Sequence, residues 1–517
     1  MLPTDANFLV TPDLSLMWPE LIVLGLTIVL MALDAFVPDE RHFKLLTAVS
    51  LVGYGLAAAA LWTQDGRNAA TFSGAFRADG LTVFLSLVVL LAAVLTVMTG
   101  ASYVERLEGR MPIGEFYVLL ALSTLGALLV AAAGDLVMVF VGIELSSLAV
   151  YVLTAFAKRR ATAIEGALKY FLLGIFASSI LVYGMAWMYG LTGTTNLDGI
   201  AATLQGAVAG QQHLEPALLL AVLLAIVGLG FKMAAVPFHF WTPDAYDGAP
   251  TPVTAFMSVV PKVAAFAAAI RILVQALGPL TADWTGAIAA LAILTMVFGN
   301  VVAVSQRNVK RMLAYSSVAH TGYIMVGLAV YQAHGGYQAS ATPLADDGIA
   351  SILFYLLAYT VMNVGAFAVV AWLQHRGRGL TLDDFSGLGT TEPAAAAAMT
   401  IFMVSLMGIP PTVGFYAKYR LIVAAIQTDQ NVGLWLAIVI VLMSAISAFY
   451  YLRVVAVMYF NDPARTPRPA STPLLNLGIG IMAVASLIGG IFLGNQFYDL
   501  ATRWYHALEI VTQAAMR

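Results

Sequence analysis

Seven titratable side chains of this sequence stand out, because six lie well inside long apolar runs and His239 flanks an interruption of one of these runs. They are one carboxylate, four lysines and two histidines: Glu144, Lys169, Lys232, Lys262, Lys418, His239 and His320. A charged group at the centre of a membrane helix costs about 2.5–3.5 kcal/mol on insertion scales, so such groups face a protein interior or a wet cavity. One carboxylate cannot neutralise four lysines at once, and burial and mutual repulsion disfavour the charged form of lysine. We therefore interpret the set as a relay whose lysines hold and release protons.

A structural role is the alternative for several of these residues. Glu144 can staple two helices through an ion pair, and His320 can be a hydrogen-bonded packing residue. Lys169 lies four residues after Glu165, which suits a local ion pair on a helix. A long lysine stem at Lys232 can reach the membrane surface. An anion pathway would also need buried positive charge, but it favours arginine, whose charge is permanent.

Two of the lysines lie next to proline-containing interruptions of the apolar runs. FKMAAVPFH (231–239) holds Lys232 and His239, and MGIPPTVGFYAKY (407–419) holds Lys418. A proline removes a backbone donor and frees the carbonyl four residues earlier. Freed backbone groups at membrane depth are tolerated where they line a wet cavity. We expect water at both breaks to link groups that do not touch, and His239 to bridge or cap freed carbonyls.

The elements that must hold these residues are membrane helices. Hydrophobic residues make up 61% of the chain, charged residues only 10%, and the mean hydropathy is +0.87, whereas a soluble domain carries about 25% charged residues. A membrane helix needs about 20 mostly apolar residues. The sequence therefore predicts an all-α polytopic membrane protein with about fourteen spans, near 16–36, 43–63, 80–102, 115–133, 135–157, 163–190, 216–240, 249–276, 284–304, 309–331, 348–374, 394–426, 432–460 and 474–499.

The order of these runs predicts a repeat and an orientation. The two breaks lie in the seventh and twelfth runs, and an odd offset of five runs inverts the second unit in the membrane. Paired interrupted helices in inverted repeats are typical of a transport path. Basic residues gather in the loops after odd-numbered runs, for example Arg106, Arg110 and Lys158. These loops should face the cytoplasm, which leaves both termini on the extracytoplasmic side.

The composition excludes several other functions. A chain without cysteine has no disulfide, no cysteine-ligated iron–sulfur cluster and no c-type haem. Its seven histidines show no metal-ligand spacing, and a net charge of −3 does not indicate a nucleic-acid partner. We therefore expect no cofactor and no redox centre in this chain.

Several blocks around the buried groups resemble the antiporter-like subunits of respiratory complex I. They are VGIELSSLAVYVLTAF with Glu144, FKMAAVPFHFWTPDAYDGAPTPVTAF with Lys232, SVVPKVAAFAAAIRI with Lys262, QRNVKRMLAYSSVAHTGY with His320 and IPPTVGFYAKY with Lys418. The resemblance runs from about residue 15 to residue 500. The block ALKYFLLGIFASSILVYG and the lysine in SVVPKVAAF favour the N-type members, and a lysine at 418 argues against the M-type, which usually carries glutamate there.

What the resemblance implies for the fold is more specific than the count of runs. It implies fourteen helices with two inverted five-helix repeats and broken helices 7 and 12. Helices 1–3 would occupy residues 1–110 and the first repeat 111–276. The second repeat would occupy 277–460, and helix 14 with the tail 461–517.

The resemblance also implies roles for the buried groups. Glu144 would pair with Lys232 and set its proton affinity. Lys262 would continue the path through His239 and waters. Lys418 would gate exchange with the far side of the membrane.

The same resemblance implies the surroundings of the chain. It would be flanked by other antiporter-like subunits of the membrane arm and by lipids, in a bacterial inner membrane. NADH, FMN, iron–sulfur clusters and quinone would bind in partner subunits, where quinone reduction drives proton translocation. Two alternatives stay open: a component of a multi-subunit sodium/proton antiporter, which shares these blocks, and a mainly structural spacer of the arm.

Overall fold

The computed structural model describes most of the chain and is almost entirely helical. One short antiparallel hairpin departs from the predicted all-α fold, with β1 (Ala69–Thr71) paired to β2 (Phe76–Ala78). Strands of three residues are too short to give an alternating sequence pattern, which is why the hairpin was not predicted. The described residues are 12–37, 42–105, 113–209, 216–331, 347–428, 431–463, 472–492 and 494–515.

The α-helices of these residues follow one another with short connections. In chain order they are α1 (Trp18–Phe36), α2 (His42–Trp62), α3 (Gly80–Glu105), α4 (Gly114–Ala131), α5 (Leu136–Thr154), α6 (Ala161–Thr192), α7 (Leu197–Ala209), α8 (Pro216–Met233), α9 (Trp241–Gly248), α10 (Thr251–Met257), α11 (Val260–Ala269), α12 (Thr281–Ser305), α13 (Val309–Ala329), α14 (Asp347–His375), α15 (Leu388–Thr391), α16 (Pro393–Met407), α17 (Val413–Ile426), α18 (Asn431–Phe460), α19 (Pro473–Ile491) and α20 (Gly494–Ala515). Short 3-10 helices cover Leu14–Met17, Gly278–Leu280 and Leu382–Phe385, and a π-helix, Ile270–Ala276, continues α11.

Twelve helical segments among the described residues are long and apolar enough to cross a membrane. The two other predicted runs, 309–331 and 394–426, are not among these twelve segments, and each differs for a physical reason. The first is α13, 21 residues long, in which polar side chains such as Lys310 and His320 lower the hydropathy. The second is divided into α16, of 15 residues, and α17, of 14 residues, each too short to span alone.

The helices that carry polar groups lie at the centre of the bundle. The most apolar stretch of Thr251–Ala276 is completely buried and that of Gly348–His375 is 89% buried, whereas that of Asn431–Phe460 is only 28% buried. A helix surrounded by other helices can offer polar side chains to protein rather than to lipid. The centre of the bundle is therefore where buried titratable groups can find partners.

Candidate functional site

Lys232 and Glu144 form an ion pair inside the bundle. Lys232 lies in the last turn of α8, and Glu144 lies in the middle of α5. The amino group is 3.0 Å from Glu144 Oε1 and donates to Ser147 Oγ at 3.1 Å. The Ser178 hydroxyl donates to the same carboxylate oxygen at 2.5 Å. Because the Lys232 side chain is only 5% exposed, it points into the bundle and does not reach the membrane surface.

The position of Lys232 follows from the way α8 ends. The Ala235 N–H donates to Gly230 O at 2.8 Å, and the Ala234 N–H donates to Phe231 O at 3.0 Å. This pair of bonds is a Schellman motif. Ala234 is the residue of the motif that has the left-handed conformation, with φ 64°. The motif stops the helix partway along an apolar run. Lys232 is thereby held at a helix C-terminus, where the helix dipole favours a cation.

The helix α16 ends with the same motif. The Ile409 N–H donates to Val404 O at 3.2 Å, and the Gly408 N–H donates to Ser405 O at 3.0 Å. Gly408 holds the left-handed position with φ 87°. Each break also contains one cis prolyl peptide bond, at 236–237 and at 410–411. The two interruptions thus share one backbone design, although their sequences differ.

Lys418 lies on α17, just beyond the second break. Its amino group donates to Met407 O at 2.9 Å, which satisfies a carbonyl left free at the end of α16. The same amino group lies 4.7 Å from the centre of the Tyr323 ring. Within the described residues no carboxylate lies within 4 Å of it. Lys418 is therefore held by neutral partners, unlike Lys232.

Lys262 is buried on α11 and is also held by neutral partners. Its amino group donates to the backbone oxygen and to the hydroxyl of Ser317, both at 2.7 Å. It lies 5.2 Å from the centre of the Tyr359 ring. The Tyr246 hydroxyl approaches the same Ser317 hydroxyl at 3.4 Å. Lys262 thus touches α13, the helix that carries His320.

His320 lies between two tyrosine hydroxyls. Its Nδ1 is 2.8 Å from the Tyr355 hydroxyl, and its Nε2 is 3.2 Å from the Tyr451 hydroxyl. The Tyr451 hydroxyl in turn lies 2.5 Å from Ser316 Oγ. Ser316 is the chain neighbour of the serine that binds Lys262. Hydroxyls and an imidazole can each donate and accept, so this row can pass a proton in either direction.

His239 lies in the first break, but its ring is not joined to the lysines. It is buried and packs against Phe240 and Phe298, with ring centres 4.9 and 4.6 Å away. Its Nδ1 has no hydrogen-bond partner in the described part of the chain, and no hydrogen bond links it there to Lys232 or Lys262. A connection through His239 therefore requires water.

Lys169 lies apart from the buried row. Its amino group is 2.7 Å from Glu165 and 2.7 Å from Asp244, and its side chain is 43% exposed. Arg311 also pairs with Asp244, at 2.9 Å. The local pair four residues apart, which was the structural alternative for Lys169, is present. Its place in a relay stays a prediction.

Sequence reasoning found the charged groups but missed the hydroxyls that connect them. Ser147 and Ser178 bracket Glu144, and Tyr355 and Tyr451 bracket His320. Tyrosines and serines are common in apolar helices, so only their clustering on facing helices would have indicated a role. Among the described residues no group of three or more His, Asp or Glu side chains is arranged to hold a metal ion.

A pocket beside Glu144 opens towards the outside of the bundle. Its volume is about 500 Å³, and Phe140, Ser178, Ser179 and Tyr183 contribute to its lining. Glu144 is 19% exposed, against 5% for Lys232. The carboxylate of the pair is therefore the group that a neighbouring molecule packed against this face can reach.

Known proteins similar to this chain agree on one family. The family model described as NADH:quinone oxidoreductase/Mrp antiporter, transmembrane, matches residues 133–447. NADH-quinone oxidoreductase subunit N of Trichlorobacter lovleyi is 42% identical, over 94% of this chain and 96% of the relative. The chain belongs to the N-type antiporter-like subunits of NADH-quinone oxidoreductase. It is accordingly an integral membrane protein.

Solved structures share the fold of this chain. A chain of respiratory complex I from Thermus thermophilus with bound aureothin is 32% identical, with a TM-score of 0.76, over 94% of this chain and 99% of that one. A chain of the Mrp complex from Dietzia sp. DQ12-45-1b gives a TM-score of 0.78 at 23% identity, which shows a shared fold alone. The N-type relatives thus favour complex I over the antiporter alternative.

Proposed function

We propose that this chain is a proton-translocating subunit in the membrane arm of an NADH-quinone oxidoreductase. Protons would move along Glu144, Lys232, Lys262, His320 and Lys418. The observation that carries the proposal is the set of buried titratable groups inside the bundle: the Lys232–Glu144 pair, Lys262 bound to Ser317 of α13, His320 on the same helix, and Lys418 at the end of α16. A structural spacer has no need for the buried lysines at 232, 262 and 418, of which the last two lack a carboxylate partner in the described residues.

The row has gaps that water must bridge. Lys262 donates to Ser317, and the Tyr451 hydroxyl joins Ser316 to His320, but among the described residues no hydrogen bond connects Ser317 to Ser316, and Lys232 and Lys262 share no partner. His239 lies at the break between them with an unpaired buried nitrogen, which supports a hydrated step there. Lys169 would act, if at all, at the surface end of the path, and the proposal does not depend on it.

The fold supports two inverted five-helix units, at 111–276 and 277–460. In this proposal α8 with α9 forms the interrupted seventh helix, and α16 with α17 forms the interrupted twelfth helix, for fourteen in total. The shared Schellman ends of α8 and α16 support this correspondence. Residues 1–110 and 461–517 would flank the repeats.

The opening helix pairs of the two units also pack alike. The backbone of α5 lies so close to Gly126 of α4 that a Cβ there would be 2.4 Å from Ser146 N. A Cβ on Gly322 of α13 would be 2.6 Å from Met296 N of α12. Glycine is needed at both close approaches.

The driving reaction lies outside this chain. We propose that NADH and quinone, which the relatives' name contains, bind in partner subunits together with FMN and iron–sulfur clusters, and that other antiporter-like subunits and lipids flank this one. The membrane would be a bacterial inner membrane, with both termini on the extracytoplasmic side. Quinone reduction would drive the relay through these neighbours.

Proton pumping by the assembled complex tests the proposal. Proteoliposomes holding complexes with Glu144→Gln, Lys232→Ala or both are assayed for protons moved per quinone reduced. We expect each change to lower this ratio, because each removes one member of a paired, buried donor and acceptor. Ser179→Ala is the matched control, since Ser179 bonds only to the backbone of its own helix.

The outcomes separate the alternatives. An unchanged pumping ratio in the double variant would show that the relay idea is wrong and leave a spacer. Sodium-dependent proton exchange by the chain without NADH or quinone activity would favour the antiporter alternative instead.

A further inference from the structure

A second buried ion pair lies far from the lysine row and plays no part in the relay described above. Arg271 has no exposed surface, and its guanidinium forms a two-pronged pair with Asp79, with distances of 2.6 Å and 2.8 Å. Asp79 directly precedes α3, and Arg271 lies in the π-helical continuation of α11. The sequence marks neither residue, because both lie at the ends of predicted spans.

Every nitrogen of the Arg271 guanidinium is occupied. Nε donates to Ala131 O at 3.2 Å, and Nη2 donates to Ala131 O at 2.9 Å and to Thr82 Oγ1 at 3.0 Å. Nη1 donates to Gln275 Oε1 at 3.2 Å as well as to Asp79. The Asp79 carboxylate also accepts from the backbone N–H and the hydroxyl of Thr82. Each N–H of the guanidinium therefore has an acceptor, so Arg271 has no donor left to continue a chain of water molecules.

Arg271 lies on the helical segment that continues from Lys262, towards one end of the bundle. Arg271 follows Lys262 by nine residues, or about 13 Å along a helix axis. At this end α3 begins and α4 finishes, and by the predicted orientation it faces the extracytoplasmic side. A second polar layer lies beyond it, where Gln275 Nε2 donates to Asp198 Oδ1 at 3.2 Å and Arg77 pairs with Asp198.

Neither member of the pair can pass a proton on at neutral pH. Arginine does not lose its proton in proteins. Burial alone would raise the pKa of Asp79, but the charge and hydrogen bonds of Arg271 and Thr82 outweigh it and hold that pKa below its usual value. Asp79 therefore stays ionised and does not pick up a proton.

We propose that the Asp79–Arg271 pair is a proton seal. It closes the end of the first unit beyond Lys262, so that a proton on Lys262 cannot leave directly to that side and passes to His320 and Lys418 instead. The inference rests on the proposed function, because it assumes that Lys262 carries protons. Arg271 and Asp79 are positioning residues in this scheme, since they block a route and do not transfer the proton.

The experiment measures passive proton leak through the whole complex in proteoliposomes without substrate, and protons moved per quinone reduced during turnover. Arg271→Met opens the seal, and we expect a several-fold faster leak and a lower pumping ratio while quinone reduction continues. Arg376→Met is the control, because it removes the ion pair with Glu392, a different pair outside both the relay and the seal. We expect no leak there.

A combined variant distinguishes a seal from general damage. If the leak runs through Lys262, adding Lys262→Ala to Arg271→Met abolishes it. A leak that persists without Lys262, or an Arg271→Met membrane as tight as the wild type, overturns the proposal. Lys262→Ala alone that pumps fully would instead contradict the proposed function.

Two further variants test the proposal if the complex with Arg271→Met does not assemble. Asp79→Leu with Arg271→Met removes both charges, so neither is left buried and unpaired. Arg271→Lys keeps a charge beside Asp79 but cannot reach Ala131 and Thr82 at once. A Lys262-dependent leak in either variant supports the seal, and tight membranes in both contradict it.

Discussion

At the residue scale the three buried lysines of the proposed relay differ in what holds them. Lys232 has a carboxylate at 3.0 Å, whereas Lys262 and Lys418 are held by a serine hydroxyl and by backbone carbonyls. A carboxylate stabilises the charged amine specifically. A hydroxyl can accept from the charged amine or donate to the neutral one. Lys262 thus has a partner that suits both protonation states, as a relay step requires.

The Tyr451 hydroxyl provides the first test at this scale. It joins Ser316 to His320, so Tyr451→Phe breaks the row while conserving the ring. Losing one such hydrogen bond costs about 1 kcal/mol, so the complex should still assemble. We expect protons moved per quinone reduced to fall several-fold, measured in proteoliposomes.

The control for this change is Tyr54→Phe. Tyr54 is equally buried, but it lies on α2, away from the row. The relay role of Tyr451 is contradicted if both variants pump alike.

Asp79 provides a test of how the stability of the folded chain depends on pH. Asp79→Asn leaves Arg271 buried without its counter-charge, a change that typically costs about 3–5 kcal/mol. The folded-state pKa of Asp79 is lowered, so its stabilisation is complete above the unfolded value of about 3.9. It is lost as the pH falls through the lower folded value. We expect a lower unfolding temperature for the variant at pH 7 and at pH 5, and a smaller difference below pH 4.

Glu165→Gln is the matched control for the stability measurement. Its carboxylate is 63% exposed and pairs with Lys169 at the surface, where an ion pair contributes about 0–1 kcal/mol. A pH-independent deficit in Asp79→Asn would mean that the carboxylate charge is not what stabilises this end of the bundle.

The sequence shows which titratable side chains lie deep in the membrane, but it does not show which groups they contact. A lysine in an apolar run needs protein around it whatever the fold, because a charged side chain in lipid costs free energy. That cost alone was enough to predict that Lys232 and Lys262 are buried in protein. Which hydroxyl meets which nitrogen depends on how α11, α13, α14 and α18 pack. Tyr451 and Lys262 are distant in sequence, and no spacing rule joins them.

At the scale of elements the two breaks are the main design feature. Proline was the visible signal, at 237 and at 410–411. In the structure, however, each helix has already ended in a Schellman motif three residues or fewer before its proline. The left-handed residue is Ala234 at one break and Gly408 at the other. A non-glycine residue at such a position is unusual, which is why the sequence did not reveal the shared motif.

This difference predicts unequal responses to exchange of the two residues. Gly408→Ala puts alanine in a left-handed conformation, at about 1–2 kcal/mol, and its Cβ would be 2.8 Å from Lys418 Cδ. The Lys418 side chain must shift, so we expect reduced proton pumping. Ala234→Gly relieves strain but adds freedom to the unfolded chain, and the two effects nearly cancel.

Pumping ratio and unfolding temperature of the assembled complex check this pair. The expected pattern is near wild-type behaviour for Ala234→Gly and a loss of pumping for Gly408→Ala. Equal pumping in both variants would show that the position of Lys418 is not critical.

At the scale of the whole molecule the orientation in the membrane is the largest feature that rests on sequence alone. Basic residues in the loops after odd-numbered runs predict that the segment around Arg159 faces the cytoplasm. The segment around Arg67 should then face outward. Both residues are exposed. Arg67 precedes α3 in the chain and Arg159 follows α5, so three membrane helices separate them. The direction of proton flow through the relay, and the side that the Asp79–Arg271 pair closes, both depend on this assignment.

The absence of cysteine makes the orientation directly measurable. Single Arg67→Cys and Arg159→Cys variants carry the only thiol of the chain, so a membrane-impermeant maleimide reports one position at a time. We expect Arg67→Cys to react in intact cells. Arg159→Cys should react only after permeabilisation, because the basic loops are predicted to face the cytoplasm and the maleimide cannot cross the membrane. The unaltered chain, which has no thiol, gives the background. Labelling of Arg159→Cys in intact cells, with protection of Arg67→Cys, would reverse the orientation and put the Asp79–Arg271 pair on the cytoplasmic side of Lys262.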